Sequence, residues 1–348
     1  MVTILMPTLN RSSFVIRYLN YFHDNGFEGR LFIADSSNDE HFQKTSRAIA
    51  AINPSFEVRH LAYPGLKIFE CIQQMIPMVD TPYVMYMNDD DLIVPSSLKE
   101  AIAFLAKNPD YSAAGGEIVC CHLNLNEDRD EVLHTTRTSI RSFTAPEPSQ
   151  RLIGLAERYS MILFSVYRSH CMKFMWPLDP RLKDVSMGSE VLPAMVLAAQ
   201  GKIKKLDRIF TVRQIHIQRY VTPNMYESVT KPHWIPSLLA MQDAITKALM
   251  DKGLPEAEAM EDAKRACWSF AGGSLSRGYA RRYRVTAEKK IKDAVKQVPF
   301  VGSMAVRLKA ELDPAQFLSL PRLLRKTSAY HQDFMPAYRC ITAAKGGG

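Results

Sequence analysis

No window of the 348-residue chain approaches the roughly 18 unbroken apolar residues of a membrane-spanning helix. The six cysteines, at positions 71, 120, 121, 171, 267 and 340, include no C-x-x-C pair and no metal-ligand spacing. This argues against a zinc site or disulfide scaffold and leaves reduced structural thiols in a cytoplasmic protein as the expectation. No G-x-G-x-x-G follows the first apolar run, which disfavours a dinucleotide-dependent dehydrogenase. Zinc-finger spacing and aromatic-basic RNA-binding signatures are also missing, so no nucleic-acid partner is expected. The opening "MVTILMPTLN" has no basic region ahead of its apolar run and meets a proline at position 7. It reads as a first strand, not as a secretion signal.

What the chain does contain is an ordinary folded composition, 47% hydrophobic and 23% charged, with enough length for a sizeable core. The net charge of +8 is unevenly placed: residues 231–348 hold 20 Lys/Arg and 11 Asp/Glu, a net +9, leaving −1 for residues 1–230. The stretch 277–296 alone has eight basic and two acidic residues. Such a stripe suits an anionic membrane surface or an anionic acceptor, and suits equally a solvated helix face with no partner.

The first 120 residues alternate short apolar runs with helical patterns. Strands are expected at 2–7, 30–35, 56–61 and 83–87, with helices between them and another opened by Ser96 or Ser97. This β-α-β order argues for a parallel sheet covered on both faces, with ligands bound off the carboxyl ends of the strands. Residues 125–150 read as a loop or edge hairpin, 160–169 as a strand, 188–200 as a helix and 202–216 as one or two strands. From Pro232 the pattern is mainly helical, which divides the chain into 1–225 and a basic helical region, 226–348. Within the first part a further division falls between residues 95 and 96, separating 1–95 from 96–225.

Three adjacent aspartates, Asp89, Asp90 and Asp91, close the strand-like "YVMYM". Their mutual repulsion calls for a compensating charge, and a D-x-D at a strand end offers hard oxygen ligands to Mg²⁺ or Mn²⁺. The bland alternative is a solvated acidic turn. Asp35, ending "RLFIAD", could accept hydrogen bonds from a base or ribose, or simply form a turn that caps the next helix.

Together, "VTILMPTLNR", "LFIADSSND" and "YVMYMNDDDL" resemble the N-terminal half of the family 2 glycosyltransferases, over roughly residues 1–220. The resemblance implies a GT-A fold, a Rossmann-like mixed α/β sheet, here with a mainly helical C-terminal extension. It implies an inverting, metal-dependent transfer of a sugar from a nucleotide-diphosphate sugar to a hydroxyl of a glycan or lipid-linked glycan, as in bacterial surface polysaccharide assembly. Pro7, Thr8, Asn10, Arg11, Asp35, Ser36, Lys67, Asp89, Asp90 and Arg213 then fall on the donor side, with Arg219 as a further phosphate clamp. Asp91 and His216 fall on the metal, Mn²⁺ or Mg²⁺. Glu190, in "MGSEVLPAM", takes the place of the general base, although Ser189 stands where the family usually has an acid. Tyr167, Arg168, His170 and Trp176 are acceptor candidates. Peripheral contact with the inner face of the plasma membrane through 277–296 is the matching expectation for location. Two rivals stand beside this reading: a non-catalytic nucleotide- or glycan-binding homologue, and a sugar-nucleotide nucleotidyltransferase. The second is disfavoured because "MPTLNRSSF" lacks the glycines of that class.

Overall fold

The computed structural model describes residues 1–138, 140–219, 225–283 and 318–344. The basic stretch 277–296 therefore lies mostly outside the described residues.

The N-terminal half follows the expected alternation. β1 (Val2–Thr8), α1 (Ser12–Asp24), β2 (Arg30–Asp35), α2 (Asp39–Ile52), β3 (Glu57–Ala62), α3 (Ile68–Met75) and β4 (Tyr83–Tyr86) form successive β-α units. β1, β2, β3 and β4 pair in parallel, with Thr8 beside Asp35 and Leu5 beside Tyr86. β1 and β4 are buried throughout because helices cover both faces, which is why their sequences run apolar without alternation. α1 buries Phe14, Val15, Tyr18, Leu19 and Phe22, a helical stripe against the sheet. Arg11 takes the cap position without a capping bond, its side chain being used elsewhere. α2 is capped as its chemistry dictates, Asn38 accepting from the His41 amide at 3.1 Å and Asn53 closing it at φ 46°.

The second half is less regular. β5 (Leu92–Ile93), α4 (Pro95–Lys107), β6 (Tyr111–Asn124), β7 (Glu131–Thr138), α5 (Pro148–Glu157), β8 (Val166–Arg168) and α6 (Met172–Met175) come next. A π-turn, Met187–Val191, leads into α7 (Leu192–Gln200), and β9 is one long strand, Lys202–Ile215. The nine strands form one mixed sheet in the order β3-β2-β1-β4-β8-β6-β9-β5, with β7 antiparallel to β6. β6 and β9 run parallel through several register shifts, and at Gly116 a Cβ would sit 2.4 Å from the Arg208 carbonyl. Only glycine permits that approach.

α7 is buried all round, between the sheet, α5 and α9 (Trp234–Met250), and its sequence is correspondingly apolar on every face. α8 (Met225–Ser228) and α10 (Glu256–Tyr283) pack on one another, and α10 also packs on α5 and α9. After α11 (Leu320–Leu323), α12 (His331–Ile341) returns to the first helix and to β9, where Arg208 forks onto the buried Asp333. Among the described residues no helix is long and apolar enough to cross a membrane.

Candidate functional site

The carboxyl ends of β1, β2 and β4 meet at one rim of the sheet. β1 leaves it through Asn10, whose φ of 54° turns the chain back. The Asn10 amide donates to Ser37 Oγ at 2.7 Å and its side-chain oxygen accepts from the Asn38 amide at 2.9 Å. Asn10 thus ties the first two loops together and directs Arg11 across the rim. Ser36 is turned inward, donating to the Leu66 carbonyl at 2.9 Å.

All three aspartates are buried. Taking a carboxylate out of water costs several kcal/mol unless paired, so each must find partners. Asp89 accepts from Thr8 Oγ1 and Arg11 Nη1, both at 2.7 Å. Asp90 accepts from Arg11 Nη2 at 2.5 Å and lies 3.2 Å from His216 Nε2. Asp91 accepts from Arg213 Nε at 2.9 Å, Asn88 Nδ2 at 3.0 Å and the Gln214 amide at 3.2 Å. Gln214 also donates its side-chain amide to the Asp90 carbonyl and accepts from Arg17 at 2.6 Å.

The immediate compensating charges are the guanidiniums of Arg11 and Arg213, which belong to the chain itself. His216 pairs with Asp90 and not with Asp91, which faces Arg213. Burial and the like charge of Asp90 push Asp89 up to about 7, against the pull of Arg11 and Thr8. Burial also acts to raise Asp90, but His216 and Arg11 outweigh it and hold that carboxyl below its ordinary value. Burial raises Asp91, with Arg213 opposing.

The cations are held in place by aromatic rings. Phe14, one turn beyond Arg11 on α1, stacks on His216 at 4.7 Å and lies under the Arg11 guanidinium at 4.7 Å. Phe164 supports Arg213 in the same way, again at 4.7 Å. At the outer side of the rim Asp35 accepts from the Ser37 amide and lies 2.8 Å from His60 Nε2, with His60 stacked on Phe42 at 4.1 Å. Burial acts to raise Asp35, yet these hydrogen bonds leave it below the ordinary range, as a carboxylate.

Glu190 sits in the π-turn, half-buried, and accepts from Tyr159 Oη at 3.0 Å. Burial raises its carboxyl; the Tyr159 bond and the charge of Arg213 act the other way. Arg213 is thus within electrostatic reach of both Asp91 and Glu190, and links the trio to the expected base. Ser189 turns away, donating to the Val185 carbonyl at 2.6 Å.

The acceptor candidates are not brought to this rim. β8 pairs with the first residues of β4, Tyr83 with Arg168 and Val84 with Tyr167, which places them toward the opposite end of that strand. Tyr167 and Trp176 are buried core, and Arg168 donates to the carbonyls of Leu105, Asn108 and Tyr111 at 2.6, 3.1 and 2.8 Å. His170 is exposed beside Lys173 and Lys252. Lys67 is exposed too, its amide donating to Glu70 at the start of α3. Arg219 acts on His122 and is not among the charges that shift the aspartates.

Phe14, His60, Asn88, Tyr159, Phe164 and Gln214 emerge only with the structure. Of these, Phe14 had a sequence signal, since three residues from Arg11 on a helix is one face. Gln214, between Arg213 and His216, had none beyond its place in the same short strand end.

No protein-family model matches the chain, and no curated protein matches it in sequence. Among solved structures the fold is similar to that of S. aureus TarS 1–349, with a TM-score of 0.52 and 16% identity over 98% of this chain and 88% of that one. The same TarS portion in complex with UDP-GlcNAc gives a TM-score of 0.51 and 15% identity, covering 98% of this chain and 89% of the other. At that identity the likeness defines the fold: a Rossmann-like mixed α/β sheet with a C-terminal helical extension.

Proposed function

We propose that the chain is an inverting glycosyltransferase of the GT-A, family 2 type, moving a sugar from a nucleotide-diphosphate donor to a hydroxyl of a glycan or lipid-linked glycan. The observation that carries this reading is the rim itself. Three buried carboxylates share two guanidiniums and one imidazole where the strands carrying Thr8, Asp35 and Asp89–Asp91 end together. The fold shared with a protein seen holding UDP-GlcNAc supports a donor of that chemical class.

Asp35, with the His60–Phe42 stack beside it, is placed to meet the base or ribose. Arg11 and Arg213 supply fixed positive charge for the diphosphate, worth most in a site that excludes water. The donor set fits a divalent cation in part. No group of three His, Cys, Asp or Glu converges among the described residues, but Asp90 and His216 offer one hard oxygen and one imidazole nitrogen. Two protein ligands completed by substrate phosphates are a usual arrangement for Mg²⁺. Bound there, Mn²⁺ or Mg²⁺ would add charge against the departing diphosphate. Asp91, engaged by three donors, serves better to fix Arg213.

Glu190 acts as general base, taking the proton from the acceptor hydroxyl as its oxygen attacks the anomeric carbon opposite the diphosphate. One displacement of this kind inverts the anomeric configuration. Tyr159 holds the carboxyl, and its hydrogen bond and the charge of Arg213 act against the rise that burial imposes. A role at the inner membrane face in polysaccharide assembly belongs to the same proposal. The test is sugar transfer or donor hydrolysis with a panel of nucleotide sugars and Mn²⁺. Binding without turnover would leave the non-catalytic reading, which the serine at position 189 keeps open.

A further inference from the structure

At the end of the β6–β7 ribbon two imidazoles and a guanidinium gather, and among the described residues no carboxylate pairs with them. His122 and His134 lie directly across the two strands and their rings stack at 4.2 Å, only 11° from parallel. His122 Nε2 is 3.0 Å from Thr136 Oγ1. Toward the sheet interior the same face continues through Cys120, 3.4 Å from Thr138 Oγ1, to Arg213, which pairs in register with Cys120. On the other side Ile215 pairs with His122, and the turn after it brings Arg219 round, its amide donating to the His216 carbonyl at 3.3 Å.

Among the described residues, burial, His134 and Arg219 all hold the His122 imidazole below its ordinary value, and no carboxylate opposes them. His134, Thr136 and Arg219 are exposed and His122 half-buried, so a solute can reach the cluster. Two stacked imidazoles and a guanidinium gain nothing from their own proximity. They gain a great deal from an anion, which can accept from all of them at once.

We infer that His122, His134 and Arg219, with Thr136, form an anion subsite for the acceptor, taking a phosphate or carboxylate borne by the glycan. The inference rests on the glycosyl-transfer reading above and narrows its acceptor to an anionic one. The face joining this cluster to Arg213, and through it to the Glu190 carboxyl, is the track along which such a chain lies. Hydroxyl groups of Thr136 and Thr138 along that track suit sugar hydroxyls.

The test follows the ring ¹H–¹³C signals of His122 and His134 in the full chain, assigned with His122→Gln and His134→Gln. Glucose 6-phosphate, glucose and a set of nucleoside diphosphates (UDP, GDP, CDP and dTDP) are titrated in turn. Glucose 6-phosphate is expected to move both rings saturably while glucose does not, and Arg219→Gln to weaken the effect about tenfold, as loss of one charge-assisted hydrogen bond does. A fall in nucleoside diphosphate affinity in that variant would assign Arg219 to the donor and overturn the acceptor role. Equal responses to glucose and its phosphate, or none, would overturn the subsite. Competition between a nucleoside diphosphate and glucose 6-phosphate would assign the cluster to the donor and overturn the acceptor role. Failure of every nucleoside diphosphate to bind, with the phosphate response intact, would uphold the anion site and remove the reading beneath it.

Discussion

Buried carboxylates occur in two regions of this sheet, and they are compensated differently. Glu117, in the middle of β6, is fully buried and receives two hydrogen bonds from Arg137 at 2.8 Å each, with Lys205 as a second cation. One negative charge there meets two positive ones. At the rim, three aspartates meet two guanidiniums and a histidine. The first arrangement is closed and needs no visitor; the second has carboxylate to spare, at the strand ends where α/β sheets take their ligands. The lesson is that burial of an acid is a weak sign of function, whereas incomplete compensation at a rim is a strong one.

The largest expected contrast lies in turnover. Glu190→Gln should lower kcat by ~10²–10⁴, the usual worth of a general base, with donor Kd unchanged, whereas Glu117→Gln leaves kcat alone. Steady-state kinetics on the two variants checks this, and a fully active Glu190→Gln requires another base. Next comes stability. Arg213→Met leaves Asp91 buried beside its like-charged neighbours and should cost about 3–5 kcal/mol by urea unfolding. Glu117→Gln should cost about 1–3 kcal/mol, because Arg137 and Lys205 can turn partly to solvent.

Smaller again is the effect of Tyr159→Phe, about 1 kcal/mol, read from the pH profile of kcat/KM. Glu190 is raised by burial, so its catalytic form is lost as pH falls through a value above the ordinary carboxylate range. The Tyr159 bond favours the ionised carboxyl, and its removal should move that acid limb to higher pH. Stability runs the opposite way: a raised native carboxyl pKa contributes most at low pH, and its contribution fades as pH rises through that pKa. An unmoved acid limb would mean that Tyr159 does not hold the base.

Much of the first half was legible because its strands are buried on both faces and its helices carry clear stripes. "VTILMPT" and "RLFIAD" could be little else, and the strand ends placed Asp35 and the aspartate trio at one edge. The second half resisted because its structure is set by tertiary contact. β8 is three residues long, and its central Tyr167, like Trp176 further on, is buried in the core. The choice of partner among three adjacent aspartates depends on which way each side chain turns, and spacing cannot tell Asp90 from Asp91. Arg11 as the resident counter-charge was hidden by its more obvious place beside the donor. Tyr159 and Glu190 are 31 residues apart and meet only because α5 and α7 pack together.

The central claim is that the rim is short of positive charge and takes a diphosphate together with a divalent cation, and it is tested most directly by calorimetric titration. Wild type and Asp90→Asn are titrated with UDP, GDP, CDP and dTDP in the presence of Mn²⁺. Saturable binding of at least one nucleotide to the wild type, weakened about tenfold or more in a folded Asp90→Asn protein, is the predicted result. Equal affinity in the two proteins, or no binding to either, would contradict it.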